Sequence, residues 1–244
     1  MDFVKMGVLA VLVALGIRTF AFEPFRIPSS SMEPTLLVGD YLLVSKFSYG
    51  FSRYSLPFSL PLVSGRIFGE GPKRGDVAVF HPPNDLNVAY IKRVVGLPGD
   101  TVQMKVGRLY INGKLVDRRF ENVRLARDDL QDKVEFKVYT ETLLRSSESN
   151  KQTAYKHMLQ EFNDDTFIAD DTSEIEIPSG HYFMMGDNRD RSSDSRFEVG
   201  FVPVENFVGR ATRIFNSIDY DGHGWEFWKW PTNIRYSRIL DPII

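Results

Sequence analysis

Residues 3–22 read F-V-K-M-G-V-L-A-V-L-V-A-L-G-I-R-T-F-A-F, twenty positions in which only Lys5 and Arg18 carry charge. A run of about 20 mostly apolar residues is what a helix needs to cross a bilayer. Both charges stand within about one turn of an end, where their stems can carry the charged heads to the headgroups. The sequence therefore predicts one N-terminal transmembrane helix, with residues 1–22 as a membrane anchor. The wholly uncharged stretch, 6–17, is shorter and also fits the centre of a cleaved secretory signal, with Ala14 and Gly16 as small residues at a cleavage-like spacing. The retained anchor is the expectation carried forward. Lys5 is the one side-chain cation near the start, so loop charge orients the helix only weakly.

The remainder has the composition of a folded body. The 244 residues are 43% hydrophobic and 25% charged, which excludes a disordered or low-complexity chain. Lys and Arg total 30 against 32 Asp and Glu, a formal net charge of -2, so no basic excess points to nucleic acid. The absence of cysteine removes thiol nucleophiles, disulfides and Cys-ligated zinc. His81, His157, His181 and His223 include no pair at a metal-ligating spacing.

Short β-branched and aromatic runs follow the anchor, at 40–49, 76–80 and 88–95, bounded by P-K-R-G-D at 72–76 and G-L-P-G-D at 96–100. Residues 109–116 place Asn112-Gly113 between apolar runs, the strongest short signal for a hairpin. Residues 181–185 and 208–215 continue the strand pattern. Between 117 and 176 charge is dense and apolar residues are sparse. From Lys151 to Glu176 seven acids (Glu161, Asp164, Asp165, Asp170, Asp171, Glu174, Glu176) face only Lys151 and Lys156. This stretch is expected to be part of an inserted subdomain with a solvated surface. Residues 51–71 mix apolar residues with Pro, Gly and Ser, which suits an extended loop that either touches the bilayer or folds onto its own core. Trp225, Phe227, Trp228 and Trp230 carry the same two readings.

Three segments carry candidate chemistry. P-S-S-S-M-E-P-T at 28–35 taken alone reads as a turn beside the membrane, and a serine hydroxyl becomes a nucleophile only when a base takes its proton. His181 is a candidate base by context, but the chain has no G-x-S-x-G elbow and no S-x-x-K pair. In Y-I-K-R-V-V-G-L-P-G-D at 90–100, strand alternation sends Tyr90 and Lys92 to one face and Ile91 and Arg93 to the other. Lys92 is then either an ordinary surface residue or a buried amine whose lowered pKa makes it a general base. G-D-N-R-D-R-S-S-D-S-R at 186–196 reads as a solvated loop that Asp194 and Arg196 can pin together.

In order, S-M-E-P-T, R-G-D-V-A-V-F, Y-I-K-R-V-V-G-L-P-G-D and G-D-N-R-D-R-S-S-D-S-R, set behind an apolar helix, closely resemble the boxes of bacterial type I signal peptidase (leader peptidase). The resemblance runs from the anchor to about Arg213 and finds no motif between 117 and 176. It implies a mainly β fold: an antiparallel β-sheet catalytic domain with an inserted α+β subdomain and one transmembrane helix. The expected division is 1–22 anchor, 23–107 first part of the catalytic core including the apolar loop 51–71, 108–177 insertion, and 178–244 second part of the core.

The resemblance also implies roles. Ser31 is the nucleophile and Lys92 the neutral general base. Ser29, with the Ser31 backbone N–H, forms the oxyanion hole. Ser192 orients the lysine, Tyr90 supports it, and Asp194 with Arg196 forms a structural ion pair. Arg191 stands where the family commonly has Asn, and is expected to point to solvent. The implied activity is removal of N-terminal signal peptides from secreted pre-proteins. Its partners are those pre-proteins and the lipid bilayer, without nucleic acid, metal or other cofactor. The implied location is the cytoplasmic (inner) membrane, single-pass, with a cytoplasmic N-terminus and the catalytic domain outside. Two other readings are a membrane-tethered β-rich scaffold or binding module, which needs Ser31 and Lys92 far apart, and a self-cleaving repressor-like Ser/Lys protease, which needs a DNA-binding module where the apolar segment stands.

Overall fold

The structure, a computed structural model of the chain, describes residues 2–56, 63–127, 133–146, 152–162, 169–219 and 233–244. The aromatic cluster Trp225, Phe227, Trp228 and Trp230 lies outside the described residues, as does His223. Helix α1 spans Asp2–Phe20. It ends two residues before the expected span does, because Phe22 opens the first strand, β1 (Phe22–Arg26). Among the described residues no helix is long and apolar enough to cross a membrane.

The main sheet is antiparallel throughout. Its strands are β1, β2 (Asp40–Ser45), β5 (Val77–Phe80), β6 (Tyr90–Gly96), β14 (His181–Met185), β15 (Val202–Pro203) and β16 (Phe207–Ser217), in the order β1-β2-β16-β5-β6-β14-β15. All four residues of β5 are buried. Val77 and Val79 enter one core cluster with Leu42, Val44 and Ile214, while Ala78 and Phe80 enter another with Val94, Met184 and Phe207. A strand covered on both faces needs apolar residues at every position, which explains V-A-V-F without alternation.

A four-stranded sheet joins β7 (Thr101–Lys105), β8 (Arg108–Ile111), β9 (Lys114–Leu115) and β13 (Ile175–Glu176) in the order β13-β7-β8-β9. Asn112 and Gly113 form the β8–β9 turn with φ of 52° and 71°. Both are left-handed, as a two-residue hairpin turn of the primed type requires. The expected division at 107/108 cuts through the β7–β8 hairpin, and a shared core of Val95, Val102, Met104, Leu109, Leu143 and Met185 ties this sheet to β6 and β14.

A three-stranded sheet is built from the longer strands β10 (Asp117–Arg127), β11 (Lys133–Ser146) and β12 (Gln152–Glu161). The described residues of 108–177 contain strands and no helix. The charges of this stretch are not all solvated, because Glu141, His157, Gln160 and Glu161 are buried. Glu141 pairs with Arg189, Glu161 with Arg118 of β10, and the Gln160 backbone N–H donates to the Asp187 carbonyl at 2.9 Å.

The small strands β3 (Phe51–Ser52) and β4 (Arg66–Ile67) pair within the apolar loop 51–71. The start of this loop folds onto the core, with Tyr54 and Ser55 buried, whereas Phe68 is 88% exposed.

Candidate active site

Ser31 sits in a single 3-10 turn, Ser30–Met32. The Met32 side chain beside it is fully buried in the core. Two bonds from Asn188 clamp this turn: its N–H donates to the Ser31 carbonyl at 3.1 Å, and its Nδ2 donates to the Ser30 carbonyl at 3.2 Å. Lys92 comes from the middle of β6, opposite Ala78 of β5. Its Nζ lies 2.5 Å from Ser31 Oγ. Residues 61 positions apart in sequence thus meet by direct contact.

Lys92 is 4% exposed. Burial lowers its pKa from the ordinary 10.5 to about 8, against the pull of Asp194 and Asp187 and helped slightly by Arg196. Removing an ammonium from water without a contacting counter-charge disfavours the charged form. At pH 7.5 about a quarter of such an amine is neutral. The chain thereby holds a base and a hydroxyl at proton-transfer distance.

Ser29 Oγ stands 3.4 Å from Ser31 Oγ, on an exposed residue in extended conformation. Ser29, Ser31 and Lys92 all line one cleft of about 380 Å³. The Tyr90 ring lies 5.8 Å from Lys92 Nζ and also lines it. Asp194 and Arg196 form a bidentate pair, with Nε–Oδ1 and Nη2–Oδ2 both at 3.0 Å and both side chains buried. Burial works against the Asp194 charge, but Arg196 and the Gly186 N–H outweigh it and hold the carboxyl below its ordinary pKa.

Ser192 is buried, yet its Oγ makes no hydrogen bond among the described residues, so the expected bond to Lys92 is not formed. Ser192 is packed instead over Gly186. A Cβ on Gly186 would lie 2.2 Å from Ser192 Oγ and 2.5 Å from the Ser31 carbonyl oxygen. Only glycine leaves room for both. Arg191 also departs from expectation. Its guanidinium carbon lies 5.4 Å and 5.7 Å from the ring centroids of Phe162 and Phe136, and it lines the cleft. His181 is at the start of β14, its Nδ1 2.9 Å from the Ser179 carbonyl, away from the serine.

The chain matches the family model described as signal peptidase, peptidase S26, over residues 1–216. It belongs to this family. It is similar to "Signal peptidase I" of Rickettsia typhi, 41% identical over 245 residues, covering 94% of this chain and 89% of the relative. With "Signal peptidase I" of Rickettsia akari it shares 42% identity over 214 residues, 85% of this chain and 76% of the relative. A crystal structure of a signal peptidase I from Enterococcus faecalis aligns at 30% identity and a TM-score of 0.33, covering 59% of this chain and 98% of that one.

In this signal peptidase family member a second set of buried charges lies near Ser31 and Lys92. Arg93 grips Asp187 at 2.8 and 2.7 Å, and Thr35 Oγ1 donates to the same carboxylate at 2.5 Å. Arg189 grips Glu141 at 3.2 and 2.6 Å. His157 lies between, 3.5 Å from Glu141 and 3.9 Å from Asp187. Burial first, then Arg93 and Arg189, hold its pKa well below the ordinary value, so the ring is neutral. Sequence reasoning missed this set. Arg93, Thr35, Asp187 and Arg189 stand inside the recognised boxes, but nothing local says which pairs with which. Glu141 and His157 face each other across β11 and β12, and that follows only from strand register.

Proposed function

We propose that this chain is a membrane-anchored serine endopeptidase that removes signal peptides from secreted pre-proteins, with Ser31 as nucleophile and Lys92 as base. The single observation that carries this reading is the 2.5 Å approach of Ser31 Oγ to a buried Lys92 whose pKa is lowered to about 8. Family membership supplies the reaction class.

Neutral Lys92 accepts the hydroxyl proton as Ser31 Oγ attacks a backbone carbonyl. The Ser31 N–H and the Ser29 hydroxyl hold the tetrahedral oxyanion. The lysine returns the proton to the leaving amine, then activates the water that hydrolyses the acyl-enzyme. Asp194 and Arg196 hold Gly186, and with it Ser192, against the serine turn. Ser192 orients Lys92 from there once substrate fills the cleft, and the Tyr90 ring packs beside the amine.

The substrate has an open edge to pair with. β14 meets only the second half of β6, from Arg93 to Gly96, which leaves 90–92 without a partner on that side among the described residues. An extended peptide added there presents its carbonyl beside Ser31.

Membrane attachment is supported by α1. Its Phe3, Val4, Leu9 and Leu12 are each at least 60% exposed. The rings of Phe22 and Phe47 meet edge-on at 5.5 Å at its base and add apolar surface there. In this setting the N-terminus is cytoplasmic and the β domain lies outside the inner membrane.

The test is cleavage of a purified precursor by the wild type beside Ser31→Ala. Release of the mature product by the wild type alone is expected. Equal release by both removes Ser31 from the reaction, and none from either leaves the β-rich scaffold reading.

A further inference from the structure

The clamp on the serine turn is itself held from outside the main sheet. Asn188 donates from its backbone N–H to the Ser31 carbonyl and from Nδ2 to the Ser30 carbonyl. The residues on either side of it are each tied to a different strand of the inserted sheet. Before it, the Asp187 carbonyl accepts the backbone N–H of Gln160 in β12 at 2.9 Å. After it, the Arg189 guanidinium meets both carboxylate oxygens of Glu141 in β11, at 3.2 and 2.6 Å. Arg189 Nε turns back to the Gly186 carbonyl at 3.2 Å, so the same guanidinium also closes the loop 186–189. Glu141 is 1% exposed and Arg189 2%. Neither lines the cleft that holds Ser31 and Lys92. Replacing a buried ion pair by apolar residues of similar size often leaves stability unchanged or raised. What a bidentate pair adds is direction, because two parallel N–H···O bonds fix the plane of the guanidinium. The loop that carries Asn188 is therefore aimed by the inserted sheet.

We propose that Glu141 is a positioning residue for the reaction: through Arg189 and Asn188 it fixes where Ser31 Oγ stands relative to Lys92 Nζ. The inference rests on the peptidase reading and deepens it. Lys92 is placed by the pairing of β5 with β6, which the inserted sheet does not enter. Ser31 belongs to a single 3-10 turn whose last carbonyls but one are held by Asn188. The two halves of the dyad are thus mounted on different supports, and Glu141 braces the weaker one. The Ser31 N–H of the proposed oxyanion hole belongs to the same turn and shifts with it. A displacement of about 1 Å at a reacting atom can cost about 10²-fold in rate. Glu141 touches neither the cleft nor the reacting atoms, so its effect falls on kcat and spares KM.

The experiment uses the purified full chain in detergent–lipid micelles with one precursor. Glu141→Gln keeps the shape of the side chain but puts an amide NH2 where Arg189 needs an acceptor, so the bidentate grip is lost. It is expected to lower kcat about tenfold, with KM within about twofold of wild type. The rising limb of its pH profile is expected to keep the wild-type midpoint, because the charges that act on Lys92 are Asp194, Asp187 and Arg196. The double variant Glu141→Leu with Arg189→Met replaces the ion pair by apolar side chains. Its Tm is expected to match or exceed that of Glu141→Gln while kcat stays at least about tenfold low. A pair that served stability only would recover rate together with Tm. The proposal is overturned by a kcat in Glu141→Gln within about twofold of wild type, by a loss confined to KM, or by a double variant that regains wild-type kcat. Cleavage by the wild type reads the peptidase activity by itself. Failure there sinks the peptidase reading, whereas failure among the variants alone sinks the role of Glu141.

Discussion

Lys92 and Arg93 are neighbours in β6, both buried, and the strand sends them to opposite faces. Arg93 is met by both oxygens of Asp187 and by the carbonyls of Gly75 and Ile244. Lys92 is met by one serine hydroxyl, and no carboxylate contacts it among the described residues. Two cations one position apart thus take opposite routes. Arg93 keeps its charge because the interior supplies a counter-charge. Lys92 releases its proton more readily than a free lysine because the interior withholds one. The difference separates a charge that holds the structure together from the amine that the proposed mechanism uses as its base.

The contrast can be broken first at Lys92. Lys92→Ala and Lys92→Arg are each expected to lower precursor cleavage by at least about 10³-fold while circular dichroism stays native. Arginine keeps a cation but cannot serve as a base near neutral pH. Wild-type rates in Lys92→Arg would refute the mechanism.

On the other face, Arg93→Met strands Asp187. Urea unfolding should show a loss of about 3–5 kcal/mol, most of it recovered when Asp187→Leu is added. A loss below about 1 kcal/mol would mean that Asp187 is not the counter-charge the geometry makes it.

The same change at Lys92 should have the opposite sign. The folded-state pKa of about 8 lies below the ordinary 10.5, so the unfolded chain holds the proton more tightly. Lys92 therefore costs the fold about 3 kcal/mol at pH 7, a cost that fades as pH rises from 8 to 10.5. Lys92→Met is expected to be more stable than wild type at pH 7 and to lose that advantage by pH 10.5. A Tm difference that does not change with pH would contradict the burial account.

The smallest expected effect belongs to Ser29, which touches neither cation. Ser29→Ala should lower kcat about 10²-fold with little change in KM or Tm. An unaltered kcat would take its hydroxyl out of the oxyanion hole.

What the sequence made legible was local. The hairpin at Asn112-Gly113, the strand His181–Met185 and the apolar β5 each follow from the residues within them. Ser31 and Lys92 needed the resemblance, because contact between positions 61 apart is a property of the folded sheet. The inserted sheet was misread for a physical reason. Val134, Phe136 and Val138 alternate with charged residues at 133–137, the period of a half-buried strand, but the dense charge suggested a solvated surface. Glu141, His157 and Glu161 are polar residues that the fold buries by pairing them with one another or with arginines, and composition cannot distinguish them from surface residues.

Only Ala21 separates α1 from β1, and its carbonyl is itself held by the Lys46 N–H at 3.0 Å. There is no slack at that joint. In the proposed bilayer setting, whatever sets the depth and tilt of the helix also sets the height at which the serine works, as a bracket fixes a shelf. Such an enzyme cannot swing out to meet a distant bond and must wait for polypeptide delivered to one level above the lipid.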